Sequence, residues 1–398
     1  MMFEKIKRLF KDMDKPLFFV MVIIIIFGLL NIVTASSRET VERYDQSLYH
    51  YFFQHLIMLT IAIFGSIAII NVPTKSYKLL GPFLYIFVLC LLIYLSIVGA
   101  VERGSINWLT IAGFTFQPSE LAKPVMIVML SILFERFCNK LRNKKIDHYE
   151  IIGGILFVGL LMPIIVFLQG DLGTSLIILG IFALMFISSP ILKIDKLKTV
   201  FFLFAVGMIG LFGVYLWKGH VLTEAQLKRF DFFNPCSKYE ESGYQICNGF
   251  IAINDGGLLG LGIGKSKQKY SYIPDPHTDS VFAIIAEELG FLGCVFVIIL
   301  FALFIWRGIL MISSKANTLR GTYMCLGISV YMFLHILLNL GGLFGILPLT
   351  GVPLPFLSYG GTFTICFACS LAIVQRVHIE TFSQRNVLSN NGGLNGKK

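Results

Sequence analysis

The segment Ile273-Pro274-Asp275-Pro276-His277-Thr278-Asp279 gathers two carboxylates and an imidazole immediately ahead of an apolar stretch. Groups of this kind move protons when they are held beside a reacting hydroxyl. Asp279 also stands where the next helix begins, and a carboxylate there is favoured by the helix dipole. Capping and catalysis therefore compete as its reason. Glu287 and Glu288 follow inside the apolar stretch, roughly 12–13 Å deeper along a straight helix. Unpaired carboxylates at that depth are costly, which makes Arg103, Lys123 and Arg229 their candidate counter-charges. A second constellation, Gln117-Pro118-Ser119-Glu120-Leu121-Ala122-Lys123, puts Glu120 and Lys123 three residues apart on one helix face, where they neutralise each other or meet a substrate. Asp171, in Gln169-Gly170-Asp171-Leu172-Gly173-Thr174, either caps the following helix or shapes a cavity beside it. The run from Leu349 through Ser358 to Gly361 holds two prolines and three glycines. It reads as irregular backbone re-entering a membrane face, which is tolerated where it lines a cavity or is buried in protein.

The elements that position these residues are apolar helices. The chain has 398 residues, of which 56% are hydrophobic and 14% charged, and its mean hydropathy is +0.78. Soluble domains carry about 25% charged residues. Apolar runs long enough to cross a hydrocarbon core recur near 16–35, 54–71, 79–99, 119–137, 151–168, 172–188, 198–217, 281–306, 322–340 and 363–379. The expected fold class is an all-α polytopic membrane protein with about ten transmembrane helices. The ten-span domain covers 1–380, and a cytoplasmic tail over 381–398 is expected to be disordered. The stretch Pro16 to Ala35 lacks a small-residue cleavage site and reads as a span rather than a signal peptide.

With the N-terminus inside, 22 of the Lys and Arg residues fall on the cytoplasmic side and 10 outside. Most of the exterior ones lie in one long loop, which counts little toward orientation. Both termini are thus expected in the cytoplasm, and the loop over about 218–280, between spans 7 and 8, outside. The net charge of +10 belongs to this pattern rather than to nucleic-acid binding. Cys236 and Cys247 lie in the exterior loop, where a disulfide is an open alternative to two free thiols. No Cys/His spacing matches a zinc site.

Taken in order, these motifs resemble the SEDS family (shape, elongation, division and sporulation), which includes RodA, FtsW and SpoVE. The resemblance runs through Arg103-Gly104 with Trp108, the segment from Gln117 to Lys123, Asp171 to Thr174, Arg229-Phe230 and Gly243-Tyr244-Gln245. It continues through Gly256-Gly257 to Gly264, Pro276 to Asp279, Glu287-Glu288-Leu289-Gly290, and Gly351 through Gly361. It leans toward the FtsW and sporulation branch on Leu222 through Phe230 and Gly260 through Tyr270. Asp275, Ser280 and Thr362 depart from the common family residues, glutamate, a bulky aromatic and serine respectively.

The resemblance implies a peptidoglycan glycosyltransferase of the bacterial plasma membrane. It would polymerise lipid II, a disaccharide-pentapeptide on undecaprenyl pyrophosphate, at the outer face. It places the family's essential aspartate on Asp279 and its paired acidic and basic residues on Glu120 and Lys123. It also implies dependence on a divalent cation, Mg²⁺ or Mn²⁺, and a partner among class B penicillin-binding protein transpeptidases of the division or elongation machinery. On this reading Asp279 is the general base, and Arg103, Lys123, Arg229 or the cation stabilises the departing diphosphate. Asp171, His277, Glu287, Glu288 and Ser358 contact substrate or support the site. An apolar groove open to the membrane admits the lipid. The competing expectations are a lipid II flippase and a non-catalytic scaffold for the transpeptidase. A transporter needs charges along a path to both faces, whereas these motifs gather at one.

Overall fold

The structure, a computed structural model, describes residues 10–38, 47–99, 105–111, 114–142, 148–219, 235–238, 243–270 and 273–395. Each of the ten expected apolar stretches falls on a helix. They are α1 (Lys15–Arg38), α2 (His50–Asn71), α3 (Tyr77–Val98), α4 (Pro118–Arg142), α5 (His148–Leu168), α6 (Leu172–Ser188) and α7 (Lys193–Lys218). After a loop helix, α8 (Tyr244–Gly256), come α9 (Val281–Leu303), a short α10 (Met311–Lys315), α11 (Leu319–Leu343) and α12 (Gly361–Asn395). Among the described residues, seven helical segments are long and apolar enough to cross a membrane. In hydrocarbon a chain must satisfy its own backbone, and a helix does so within one segment. The only described sheet is a two-stranded hairpin, β1 (Leu109–Ile111) and β2 (Phe114–Phe116), antiparallel with Leu109 opposite Phe116.

Helix α11 lies at the centre, packed on α4, α6 and α12, while α12 also runs along α2. The α5–α6 hairpin is tight as expected. A Cβ on Gly159 would come within 2.0 Å of the Phe182 ring, so only glycine lets these helices approach so closely. Asp171 caps α6 by accepting from the Thr174 amide at 3.0 Å. Thr318 caps α11 by accepting from the Gly321 amide at 3.1 Å.

The structure adds three features to that reading. The long loop after α7 contains helix α8, which buries Ile246, Cys247, Ala252 and Gly256 on a helical repeat. Its Cys247 is disulfide-bonded to Cys236, closing the alternative left open by the sequence. The eighth span is not one regular helix. It breaks at Gly290 (φ 67°, ψ −166°) and passes through a π-helical stretch, Phe304–Leu310, into α10. Helix α12 continues through Asn395 rather than stopping near 380.

The break at Gly290 is stitched to the glycine-rich segment after α8. The Leu261 and Gly262 amides donate to the carbonyls of Glu287 and Glu288 (2.9 and 3.0 Å), and the Phe291 amide donates to the Gly257 carbonyl (2.9 Å). Carbonyls and amides that a regular helix would pair internally are thus paired across to the loop, leaving the break satisfied. A Cβ on Gly290 would lie 2.4 Å from the Gly260 nitrogen, and one on Gly260 would lie 2.2 Å from the Glu288 carbonyl. The segment between α11 and α12 is irregular, as its prolines and glycines predict. Phe356 adopts a positive φ of 60°, and a Cβ on Gly28 of α1 would sit 2.0 Å from the Phe356 carbonyl oxygen.

Candidate active site

The chain segment ahead of α9 and the irregular loop after α11 meet at Asp279. Asn339 of α11 joins them, its side-chain amide donating to the backbone carbonyls of Asp279 and Val352, both at 2.7 Å. Oδ1 of Asp279 accepts from Gln245 on α8 and from the Thr278 hydroxyl, each at 3.3 Å. Gln245 also donates to the Ser280 hydroxyl at 2.8 Å, so the small residue next to Asp279 has a specific contact. The other oxygen, Oδ2, faces Gly351, where an added Cβ would stand 3.8 Å away. Gly351 has φ 69°, a conformation that favours glycine.

Asp279 retains some exposure, but protein crowds its carboxyl from most directions. That desolvation pushes its pKa above the ordinary carboxylate value, against the opposing pull of the Gln245 and Thr278 hydrogen bonds. A carboxyl raised in this way is a better proton acceptor once ionised.

Gly351 and its neighbours Thr350, Val352 and Pro353 also line a cavity of about 460 Å³, together with Asn107, Gln117, Glu120, Lys123, Asp171, Thr174 and His335. Lys123 is fully buried, and its Nζ donates to Glu120 Oε1 at 2.7 Å and to His335 Nε2 at 3.1 Å. Glu120 Oε2 accepts from the Tyr331 hydroxyl at 3.4 Å. An ammonium has three donors, so Lys123 keeps one uncommitted among the described residues. Asp171 forms the cavity wall as well as the cap: its Oδ2 accepts from Gln117 at 3.2 Å. Glu120 and Lys123 form an ion pair that also lines the cavity, and Asp171 both caps α6 and lines it.

Other expected site residues are placed elsewhere. Glu287 is held by the Ser266 hydroxyl at 2.5 Å and the Lys267 amide at 2.7 Å, with the Gln268 amide at 3.2 Å. Glu288 pairs with Lys269 at 3.0 Å, and Lys269 also donates to the Gly264 carbonyl at 2.8 Å. Of the expected counter-charges Lys123 is corrected: it serves Glu120, and among the described residues Lys269 and the backbone of the glycine-rich loop meet this pair. Ser358 lies inside the irregular loop, where its hydroxyl accepts from the Leu354 amide at 2.9 Å. His277 is buried, its ring 4.2 Å from Tyr51 and 5.5 Å from Tyr359, and its carbonyl accepts from the Tyr359 amide at 2.8 Å. Arg103 and Arg229 lie outside the described residues.

Tyr331, His335 and Asn339 were not singled out from the sequence. The signal was present: three polar side chains at i, i+4 and i+8 in an apolar span share one helix face. An apolar cavity of about 300 Å³ lies between α3, α4 and α12, lined by Leu84, Phe87, Leu121, Val125 and Ile365 among others. Leu121 faces this cavity and Glu120 the polar one, so α4 forms the partition.

Residues 14–383 match the FtsW/RodA/SpoVE family of cell cycle proteins. The chain is 32% identical over 388 residues to a probable peptidoglycan glycosyltransferase FtsW of Bacillus subtilis (strain 168), covering 94% of this chain and 92% of that one. It is 30% identical over 385 residues to the peptidoglycan glycosyltransferase MrdB of Escherichia coli (strain K12), covering 94% and 96%. Its fold is similar to a chain in a solved peptidoglycan synthase complex, with a TM-score of 0.71 at 22% identity over 93% of this chain and 98% of that one.

Proposed function

The chain belongs to the FtsW/RodA/SpoVE family of cell cycle proteins, and from that premise we propose that it is a peptidoglycan glycosyltransferase polymerising lipid II in cell-wall synthesis, with Asp279 as general base. The observation that carries this reading is the setting of Asp279. One carboxylate oxygen is held by Gln245 and Thr278, and the other faces Gly351 at the rim of a polar cavity with a lysine on its wall. It is a multi-pass membrane protein, and the site opens to the exterior face.

In the reaction Asp279 takes the proton of the GlcNAc 4-hydroxyl. That oxygen forms a bond to the anomeric carbon of the terminal MurNAc as the bond from that carbon to the diphosphate breaks. Undecaprenyl diphosphate leaves with the bonding electrons, and the configuration inverts from α to β. Base catalysis of this kind supplies about 10²–10⁴-fold. The Lys123 ammonium, in a water-poor setting, stabilises the charge gathering on the diphosphate. The apolar cavity on the far side of α4 suits part of the undecaprenyl chain.

A divalent cation would add further charge stabilisation at the diphosphate. No three His, Cys, Asp or Glu side chains converge among the described residues. Asp171, a carboxylate on the cavity wall, would be the residue to hold Mg²⁺ or Mn²⁺ together with the substrate. The partner of this reading is a class B transpeptidase.

The test is to supply the purified chain, together with its cognate transpeptidase, with lipid II and Mg²⁺ or Mn²⁺ and to resolve the products on a gel. Polymerised glycan is expected. Absence of polymer, with lipid II crossing the bilayer of proteoliposomes instead, would replace the transferase by a flippase. Absence of both would leave a scaffold.

A further inference from the structure

The polar face of α11 touches three different parts of the site. Tyr331 reaches Glu120, His335 reaches Lys123, and Asn339 reaches Asp279. The middle contact is the most constrained. His335 is fully buried, with its Nε2 3.1 Å from Lys123 Nζ and its Nδ1 3.3 Å from the Pro353 carbonyl oxygen. An ammonium only donates and a carbonyl only accepts. The ring must therefore carry one proton, on Nδ1, and present a lone pair to Lys123. The Phe363 ring stacks against it at 4.6 Å and 17°, which opposes rotation of the imidazole.

We infer that His335 is a positioning residue of the transferase site, a neutral imidazole that aims the Lys123 ammonium and locks it to the loop bordering Asp279. Pro353 is two residues from Gly351, whose Cα faces the Asp279 carboxylate. The bridge Lys123–His335–Pro353 therefore ties the cation that meets the diphosphate to the backbone beside the base. Glu120 alone fixes one direction of the ammonium, and His335 fixes a second, which together direct the remaining N–H. An aliphatic residue at 335 would remove an acceptor from a buried cation and a donor from a buried carbonyl. Glutamine has both groups on a flexible stem and can replace both bonds.

The inference rests on the transferase reading, so two readouts are taken on the full chain with its transpeptidase: the rate of lipid II polymerisation, and the affinity for undecaprenyl diphosphate. His335→Leu is expected to lose about tenfold or more in kcat/KM and in affinity, the scale of a lost hydrogen bond to a charged group. His335→Gln should recover most of that loss. In a Glu120→Gln/Lys123→Met background, which removes both charges together and with them the ammonium that His335 aims, His335→Leu should cost little further affinity. Equal losses in the Gln and Leu variants, wild-type behaviour in both, or an undiminished loss in the charge-free background would overturn the inference. A wild-type chain that makes no polymer, yet binds the diphosphate lipid in a His335-dependent way, would refute the transferase reading while upholding the positioning role. Loss of His335 dependence in a chain that does polymerise would refute the positioning role alone.

Discussion

Asp279 and Glu287 are acidic side chains of one continuous segment, and the structure treats them in opposite ways. Glu287 is sealed, both oxygens taken by the Ser266 hydroxyl and the amides of Lys267 and Gln268. Asp279 is held through one oxygen, while the other looks past a glycine toward a polar cavity. The sealed group organises the fold, and the half-held group is available for chemistry. Burial of an acid therefore says little about its role until its acceptors are counted. A second contrast separates Glu288, whose Lys269 partner turns to the Gly264 carbonyl of the glycine-rich loop, from Glu120, whose Lys123 partner lines the polar cavity.

The contrast sharpens under substitution. In stability, the largest effect is expected from Lys269→Met, which strands the buried Glu288 carboxylate. Breaking a buried pair from one side costs about 3–5 kcal/mol, read as a lowered thermal midpoint in detergent. An unchanged midpoint would mean that the glycine-rich loop does not depend on this pair. Gly290→Ala forces a side chain onto φ 67° and against the Gly260 nitrogen. A cost of about 1–3 kcal/mol follows from the backbone strain alone, with polymerisation lost only as the protein unfolds. Asp171→Ala removes the α6 cap and should cost about 0.5–2 kcal/mol. It should also lower the polymerisation rate if the carboxylate serves the cavity.

The smallest effect separates the two acids by pH. The pKa of Asp279 is raised by burial, so the native state binds its proton more tightly than the unfolded chain does. Its contribution to stability is complete below the unfolded value of about 3.9, and it is lost as pH rises through the folded value. Asp279→Asn should therefore be more stable than wild type at about pH 8, and the gap should close on acidification toward about pH 4. Polymerisation by the wild type should fall on the acid side at a higher pH than an ordinary carboxylate would give. A gap of the opposite sign would mean that Asp279 is a stabilising cap after all.

Much of the architecture was readable because an apolar run of seventeen or more residues has few other ways to satisfy its backbone in lipid. Each of the ten expected stretches, from 16–35 to 363–379, lies on a helix. Glu120, Lys123, Asp171 and Asp279 were visible as polar residues in costly places; the first three line one cavity, and Asp279 faces Gly351 on its wall. Partners supplied by distant segments were not readable. Lys269 reaches Glu288 from 19 residues away through a loop whose path depends on glycine backbone pairing. Nothing local announces that return. His335 was visible as a polar intrusion in an apolar helix, but its meaning depends on Lys123, 212 residues away. The break at Gly290 was hidden for a related reason: a lone glycine is tolerated in many helices, and only the approach of Gly260 makes it a kink.

The most direct test of the division between a chemical and a structural acid is to compare Asp279→Asn and Glu287→Gln in one preparation, measuring lipid II polymerisation and thermal midpoint on each. The account predicts that Asp279→Asn keeps or raises its midpoint and loses polymerisation by about 10²-fold or more. It predicts that Glu287→Gln lowers the midpoint while its folded fraction still makes glycan. Polymer at the wild-type rate from Asp279→Asn, or a stable Glu287→Gln that makes none, would contradict it.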